Sequence, residues 1–459
     1  MSLRIGDWFA NLPVSTLGVQ LRALSRRHRS FLGLCGVCTA LVACSDETHK
    51  SSGDTIRIGA ILPFTGKEAA IGRNLEQAML LAVEDVNNAG GIDGVPLELV
   101  ARDSNSGSER GQDELRRLLY DDEIKYLVGP EENELSNQFV KDIKALDILN
   151  VLPGYAAPGI KRSSATGAWL RLAPLPYSTA CAFSGYAIDE GAQSANTLAT
   201  VEDYNSTLAT DFTSQMRRLT QQTVSSVKVQ PSQSSYVAEV KRVFGYDADR
   251  TMLVAYPTTA ATIITEWDVL GGAGSWYLSP LLHAETFLLN VPYGSLEGAF
   301  GMSPSLSLSS ECEMLEGEAH GAIACSRDNA RQFRSHFAER WDGTKPFAAA
   351  HLYYDAIVLL AFGLQYGVAT TGEIPSPRDL QRIVRELNQG TNEVARWSDL
   401  SSELAKAAQG IPLRLIGAGA EYTFDPYGAA DHRVFDTWEI RHHEFQNTGA
   451  YYAYCIPPL

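Results

Sequence analysis

The stretch "IRIGAILPFTGKEAAIGRNLEQAMLLAVEDVNNAGGIDGVPLELVARDS" (56–104) sets the architecture of the chain. It opens on a short β-branched run, "IRIGAIL", which reads as a buried strand. "PFTG" then leads into a segment whose apolar residues Ile71, Leu75, Met79, Ala82 and Val86 recur at helical spacing. "NNAGG" (87–91) supplies residues that tolerate a left-handed backbone and closes the helix. "VPLELVARD" reads as the next strand. Strand, helix, strand in this order is the unit from which a parallel sheet is wound.

The same rhythm continues on both sides of residue 175. Helix "SERGQDELRRLLYDDE" (108–123), strand "IKYLVG", helix "ELSNQFVKDIKALD" (134–147) and strand "ILNVLP" complete a first α/β unit. After "RLAPLP" (171–176) the alternation restarts with helix "YSTACAFSGYAIDEG", strand "ANTLATVED", helix "STLATDFTSQMRRLTQQ" and strand "SVKVQ". Helix "SYVAEVKRVFG", strand "RTMLVAYP", helix "TAATIITEWDVLG" and strand "SWYLSP" (275–280) follow. Helices on both faces of a parallel sheet, formed twice, predict two similar lobes. "NARQFRSHFAERW" and "FAAAHLYYDAIVLLAFGLQYG" read as two further helices, the second apolar enough to pack on the first lobe. The segment "EYTFDPYGAADHRVFDTWEIRH" carries turn residues and aromatic strands.

At 459 residues the chain exceeds what a single core encloses. Its first 43 residues do not pattern like a core. Arg22, Arg26, Arg27 and Arg29 precede "FLGLCGVCTALVA" (31–43), an uncharged apolar run of thirteen residues. That run is too short to span a bilayer, which takes about 20 residues, and fits a signal-peptide core. "LVAC" (41–44) resembles the lipobox of bacterial lipoproteins, a resemblance that makes Cys44 the lipidated first residue of the mature chain. "SDETHKSSGD" (45–54) then reads as a polar tether. Removing residues 1–43 takes away five arginines and one aspartate, moving the formal charge from −16 to −20. Such a chain offers no clustered cations for nucleic acid.

Cys312 and Cys325 bracket "CEMLEGEAHGAIAC", a length suited to a local disulfide. Cys181 with Cys455 is the other pairing left among the remaining cysteines. Cys35 and Cys38 have redox spacing but lie inside the apolar leader.

No nucleophile elbow, Walker loop, H-E-x-x-H or G-x-G-x-x-G helix opening is present, so the sequence argues for no enzyme, cofactor or metal site. "GGAGS" (271–275) precedes a strand rather than a helix and reads as a turn. His442 and His443 are adjacent and would face opposite sides of a strand. Four strand-to-helix loops remain: "PFTGKEAAIG", "GPEENELS", "PGYAAPG" and "EDYNSTLA". Such loops place helix N-termini, with free N–H groups, beyond the carboxyl ends of strands, where a small ligand can be gripped.

These residues resemble the type I periplasmic solute-binding proteins of ABC transporters for branched-chain amino acids and amides. The resemblance spans nearly all of 55–435. It rests on the opening stretch, "IKYLVGP", "SLEGAFGMSPS", "FAAAHLYYDAIVLLA" and "FDPYGAAD". It implies an α/β fold of two doubly wound parallel-sheet lobes with an interlobe cleft, joined by three crossings near 172–176, 301–305 and 417–421. The implied division is 1–43 signal peptide, 44–54 tether, 55–173 with 303–418 as the first lobe, and 174–302 with 419–459 as the second.

The family's ligand contacts map onto Asn133, Gly154, Tyr155 and Ala156 in the first lobe, and onto Tyr204 and Tyr256 in the second. Core or surface packing is the alternative role for each tyrosine. Ile71 falls where the first loop enters the cleft, as an apolar wall or as ordinary helix packing. The serine that binds a ligand carboxylate in the family is Asn133 here, and the acidic residue expected after "LSP" is Leu281, with Glu285 nearby. An amino-acid zwitterion is therefore poorly matched, and the ligand expected is a small polar or amphipathic molecule, amino-acid or amide-like. The implied partners are that ligand, an ABC permease and ATPase complex, and a membrane reached through the lipid anchor on the periplasmic side of a bacterial envelope. The protein is expected to act as a monomer, without nucleic acid. The alternative function is a ligand-sensing receptor that signals to a membrane partner.

Overall fold

A computed structural model describes residues 55–453 apart from 67–68, 108, 131–134, 136–138, 155–168, 223–224, 247, 273–274, 307–311, 315–321, 348 and 391. The opening stretch forms β1 (Ile56–Leu62), α1 (Ala69–Asn88) and β2 (Leu97–Asp103). All but one residue of β1 is buried, as a strand covered on both faces must be. Leu75, Ala78, Met79, Ala82 and Val86 turn the apolar stripe of α1 inward. The helix ends in a tight turn in which Gly90, Gly91, Asp93 and Gly94 all have positive φ and Ile92 bridges Val95. A side chain at Gly91 would meet the Val95 carbonyl, so that position demands glycine.

The first sheet continues through α2 (Glu109–Arg116), β3 (Tyr126–Val128), α3 (Val140–Ala145), β4 (Leu149–Leu152) and β5 (Trp169–Arg171). Its strand order is β2-β1-β3-β4-β5, every pair parallel. One face carries a core built with α1; the other packs Leu115, Leu119 and Ile143 from α2, the turn that follows it and α3.

The second unit runs α4 (Pro176–Asp189), β6 (Ala195–Thr200), α5 (Asp203–Thr220), β7 (Ser225–Val229), α6 (Val237–Phe244) and β8 (Arg250–Val254). It goes on through α7 (Pro257–Val269), β9 (Trp276–Leu278), α8 (Glu285–Leu288) and β10 (Phe300–Pro304). The order β7-β6-β8-β9-β10 repeats that of the first sheet, and these strands too are parallel. Two separate cores cover its faces, one with α4 and α5 and the other with α6, α7 and α8.

The remaining elements are β11 (Cys312–Met314), β12 (Ala322–Cys325), α9 (Asp328–Arg340), α10 (Ala350–Thr371), α11 (Pro377–Leu387) and β13 (Glu393–Arg396). They are followed by α12 (Leu400–Ala407), β14 (Leu413–Ile416), β15 (Val434–Arg441) and β16 (Glu444–Tyr452). Helices α9 and α10 return to the first core, where Phe333, Phe337 and most of α10 are buried. By length and composition α10 could cross a membrane, yet 83% of its apolar window is enclosed by the first lobe.

The point at which the chain changes lobe departs from expectation at two of three places. Strands β11 and β12 extend the second sheet through β16 and β15, so residues 312–314 and 322–325 stay with the second sheet rather than returning to the first. Residues 419–430 stay with the first core, where Tyr422, Phe424 and Ala430 are buried. Small residues at 417–420 suggest a linker. The cause of their retention is Asp355 of α10, which accepts hydrogen bonds from Ala418 N (2.6 Å), Gly419 N (2.8 Å) and the Tyr422 hydroxyl (2.6 Å).

Candidate functional site

In open sheets of this strand order the ligand crevice lies beyond the carboxyl ends of the strands, where the order reverses. In the first lobe that edge is formed by the ends of β2, β1, β3 and β4. Its best-defined part is a clamp around Asp103, whose carboxylate accepts from Phe64 N (2.9 Å), Thr65 N (3.1 Å), Asn105 N (2.8 Å) and the Thr65 hydroxyl (2.6 Å). Burial opposes ionisation there, but the hydrogen bonds from Thr65, Asn105 and Phe64 hold the carboxyl below its usual range. The clamp joins the loop after β1 to the loop after β2 and uses up the carboxylate. Ile71 is half-buried and packs against the first core. Gly72 fits because any Cβ there would strike the Pro63 carbonyl.

Gly154 is buried immediately after β4. Asn133, Tyr155 and Ala156 lie outside the described residues, as do Cys44 and Cys455. In the second lobe, Tyr256 is half-buried and occupies the position before the first turn of α7, two residues past β8. Tyr204, in the first turn of α5, is only 1% exposed. Burial raises its phenol above the ordinary range, against the pull of a hydrogen bond with Thr179 and the charge of Arg171. Its ring packs into the second-lobe core beneath α4 and α5.

Two polar residues escaped the sequence reading. Among the described residues, the fully buried hydroxyl of Ser279, just after β9, and the fully buried amide of Asn150, in β4, have no hydrogen-bond partner. A serine in "LSP" and an asparagine in an apolar strand are the only signals the sequence offers for them. Leu281, where an acid was expected, is half-buried against the core under α4 and α5, and Glu285 is exposed at the start of α8. Among the described residues no group of three His, Cys, Asp or Glu side chains could hold a metal.

A cavity of about 700 Å³ lies elsewhere, between the end of α1, α9 and the start of α12, with Asp85, His336, Glu339, Trp397 and Asp399 on its walls. Since α1 begins beyond β1 and runs back along it, Asp85 lies at the opposite end of the first lobe from the strand ends. There Asp85 accepts from His336 Nε2 (2.8 Å) and the Tyr354 hydroxyl (2.7 Å), and the bond to Asp85 raises the His336 pKa.

Over residues 55–387 the sequence matches the family described as periplasmic binding protein. The chain belongs to the periplasmic binding protein family. Among solved structures, this family member is similar to a leucine binding protein from Thermotoga maritima (TM-score 0.67, 17% identity, 87% of this chain and 99% of that one). It is also similar to a solute binding protein from R. palustris crystallised with benzoate (TM-score 0.66, 14% identity, 88% and 98% covered). At such identities the likeness establishes the fold. The Leu/Ile/Val-binding protein homolog 2 of Brucella abortus is 30% identical over 126 residues, 27% of this chain and 32% of that relative. The chain therefore aligns with about a third of its curated relative's length.

Proposed function

We propose that this periplasmic binding protein captures one small polar or amphipathic solute between its lobes and delivers it to an ABC permease and ATPase complex. The observation that carries this reading is the repeated strand order. Two sheets wound 2-1-3-4-5 each present a row of strand ends, and three chain crossings join them. The first lobe would comprise 55–173 and 328–430, the second 176–325 and 433–453. Tyr256, Gly154 and Ser279 are the described residues assigned to the cleft, with Asn133, Tyr155 and Ala156 assigned from the resemblance. Capture is reversible binding without bond chemistry. Closure follows only if the ligand makes contacts in the closed form that the open form lacks.

The proposed ligand class follows from two positions, one in each lobe. Leu281 replaces the expected acid and the Asp103 carboxylate is occupied, so a free ammonium finds no evident partner among these residues. Amides, aromatic or aliphatic carboxylates and amino acids form the test panel. Attachment through Cys44 on the periplasmic face and a Cys312–Cys325 disulfide complete the proposal. The disulfide is supported by the direct pairing of these residues across β11 and β12 and by the bonded state of the Cys312 sulfur.

The experiment is a thermal-shift screen of residues 45–459 against that panel. A ligand at a hundred times its Kd adds about 2.7 kcal/mol of stability. No shift with any panel member, amino acids included, would count against solute capture of this class.

A further inference from the structure

Cys181 lies in α4 and is 3% exposed, and its sulfur is bonded, as is that of Cys312. These two are not each other's partners. Cys181 packs on the face of the second sheet that carries Phe435, Tyr451 and Ala453. Cys312 packs on the opposite face, with Ile323, Val434 and Ala450. The alternation of Val434 with Phe435, and of Ala450 with Tyr451, separates the two faces residue by residue. Across β11 and β12, Cys312 stands directly opposite Cys325, its own proposed partner. Cys35 and Cys38 belong to the leader and Cys44 carries the proposed anchor, which leaves Cys455.

The run of the chain points the same way. Strand β16 is antiparallel to β15, which is antiparallel to β10, so β16 heads toward the carboxyl ends of the parallel strands. Helix α4 starts at the first crossing on that edge and runs back toward the start of β6. The two elements meet near the end of α4. The Tyr451 hydroxyl donates to Asp189 Oδ2 (2.8 Å), and its ring meets Tyr186 edge-on at 5.6 Å. A Cβ at Gly185 would strike that hydroxyl. Beyond this contact the strand advances toward the beginning of the helix. Cys181 is one turn before Gly185, about 6 Å along the axis, and four extended residues cover about 13 Å. Tyr451 and Ala453 both face α4, a spacing of two that 455 continues.

We infer that Cys181 and Cys455 form a second disulfide, which fastens the end of the chain to the first helix of the second lobe. The second sheet is built from two pieces of chain, α4 to β12 and β15 to β16, and the helices between them return to the first core. The bond makes those two pieces one covalently closed body. They stay together even when the first lobe unfolds. Its formation breaks two S–H bonds and makes one S–S bond. Two electrons and two protons pass to a protein disulfide of the export compartment, which leaves as a dithiol. The pairing rests on export and on the anchor at Cys44, and is independent of what the cleft binds.

The test exports the full chain from a bacterial host, blocks free thiols and digests with trypsin without reductant. Mass spectrometry should find peptide 172–217 joined to 442–459, a species that reduction splits. Blocked thiols at both Cys181 and Cys455, or Cys181 joined to any other cysteine, would overturn the pairing. If that other cysteine is Cys44, the anchor falls with it. Melting temperatures give a second readout. Cys455→Ala should lower the value by about 3 °C or more, and should lower it no further when added to Cys181→Ala. Losses that simply add in the double variant, or none in Cys455→Ala, would overturn the bond as well.

Discussion

The two sheets share one strand order and part company at their edges. The first ends at β5, whose far side meets the return chain at Ala429. The second goes on past β10 into the antiparallel strands β15, β16, β12 and β11. The parallel portions need only repeated strand and helix signals of local origin. The antiparallel extension is assembled from pieces more than a hundred residues apart, so its existence depends on the finished lobe. The contrast separates what each lobe builds for itself from what the crossings contribute.

The largest test of this contrast is Tyr204. A ring lining an open cleft would be removed at little cost, whereas a ring buried in the second-lobe core is not. Tyr204→Ala should lower stability by about 3–5 kcal/mol, read as a drop in denaturation midpoint at unchanged slope. Tyr256→Ala, at a half-buried lip position, should cost under about 1.5 kcal/mol and weaken the ligand-induced thermal shift.

Asp355 tests the first lobe. Asp355→Ala leaves the amides of Ala418 and Gly419 and the Tyr422 hydroxyl without their buried acceptor, a loss of about 3 kcal/mol or more. Burial pushes the Asp355 carboxyl up to about 7, against the pull of those same donors. A carboxyl raised in the folded state holds its proton where the unfolded chain has lost it. Stability from this group should therefore fall as pH rises from about 4 to about 7. Urea titrations across that window should show the slope in the wild type and lose it in Asp355→Asn.

The second lobe's extension is tested through Cys312→Ser. Opening the fourteen-residue loop of the proposed disulfide should cost about 3 kcal/mol or somewhat less, and reductant should lower the wild-type melting temperature by more than it lowers the variant's, since the Cys181 sulfur is bonded as well. An equal response to reductant in both would remove the Cys312–Cys325 bond from the account. The smallest effect is expected at His336. Its pKa is raised by Asp85, so the pair stabilises below the ordinary histidine range and the contribution disappears as pH climbs past the raised value. Because the ring is partly exposed, His336→Ala should cost about 0.5–1 kcal/mol at pH 5 and less at pH 8.

How far the sequence discloses this structure follows from where each signal resides. The β1–α1–β2 unit is plain because Ile58, Ala60 and Leu62 form an unbroken buried run and α1 keeps a strict inward stripe. The end of the first lobe's return segment is hidden, since nothing in "GAGAEY" announces that an aspartate some sixty positions earlier grips it. Short strands such as β11 and β12 fall below the length at which alternation can be read. At the site, Gly154 and Tyr256 each stand two residues past the end of a strand. The depth of Tyr204 was not legible, because which way a ring turns on the first turn of a helix is decided by the core it packs into. Ser279 and Asn150 carried no pattern at all.

Helix α10 has one further consequence. Twenty-two residues of that hydropathy, threaded unfolded through a secretion channel, present a segment able to slip sideways into lipid and halt transit. Asp355 lies within it, flanked by His351 and Gln365, and a carboxylate deep in a bilayer costs up to about 3 kcal/mol. The acid that secures a loop in the finished protein also discourages the nascent chain from stopping in the membrane it must pass.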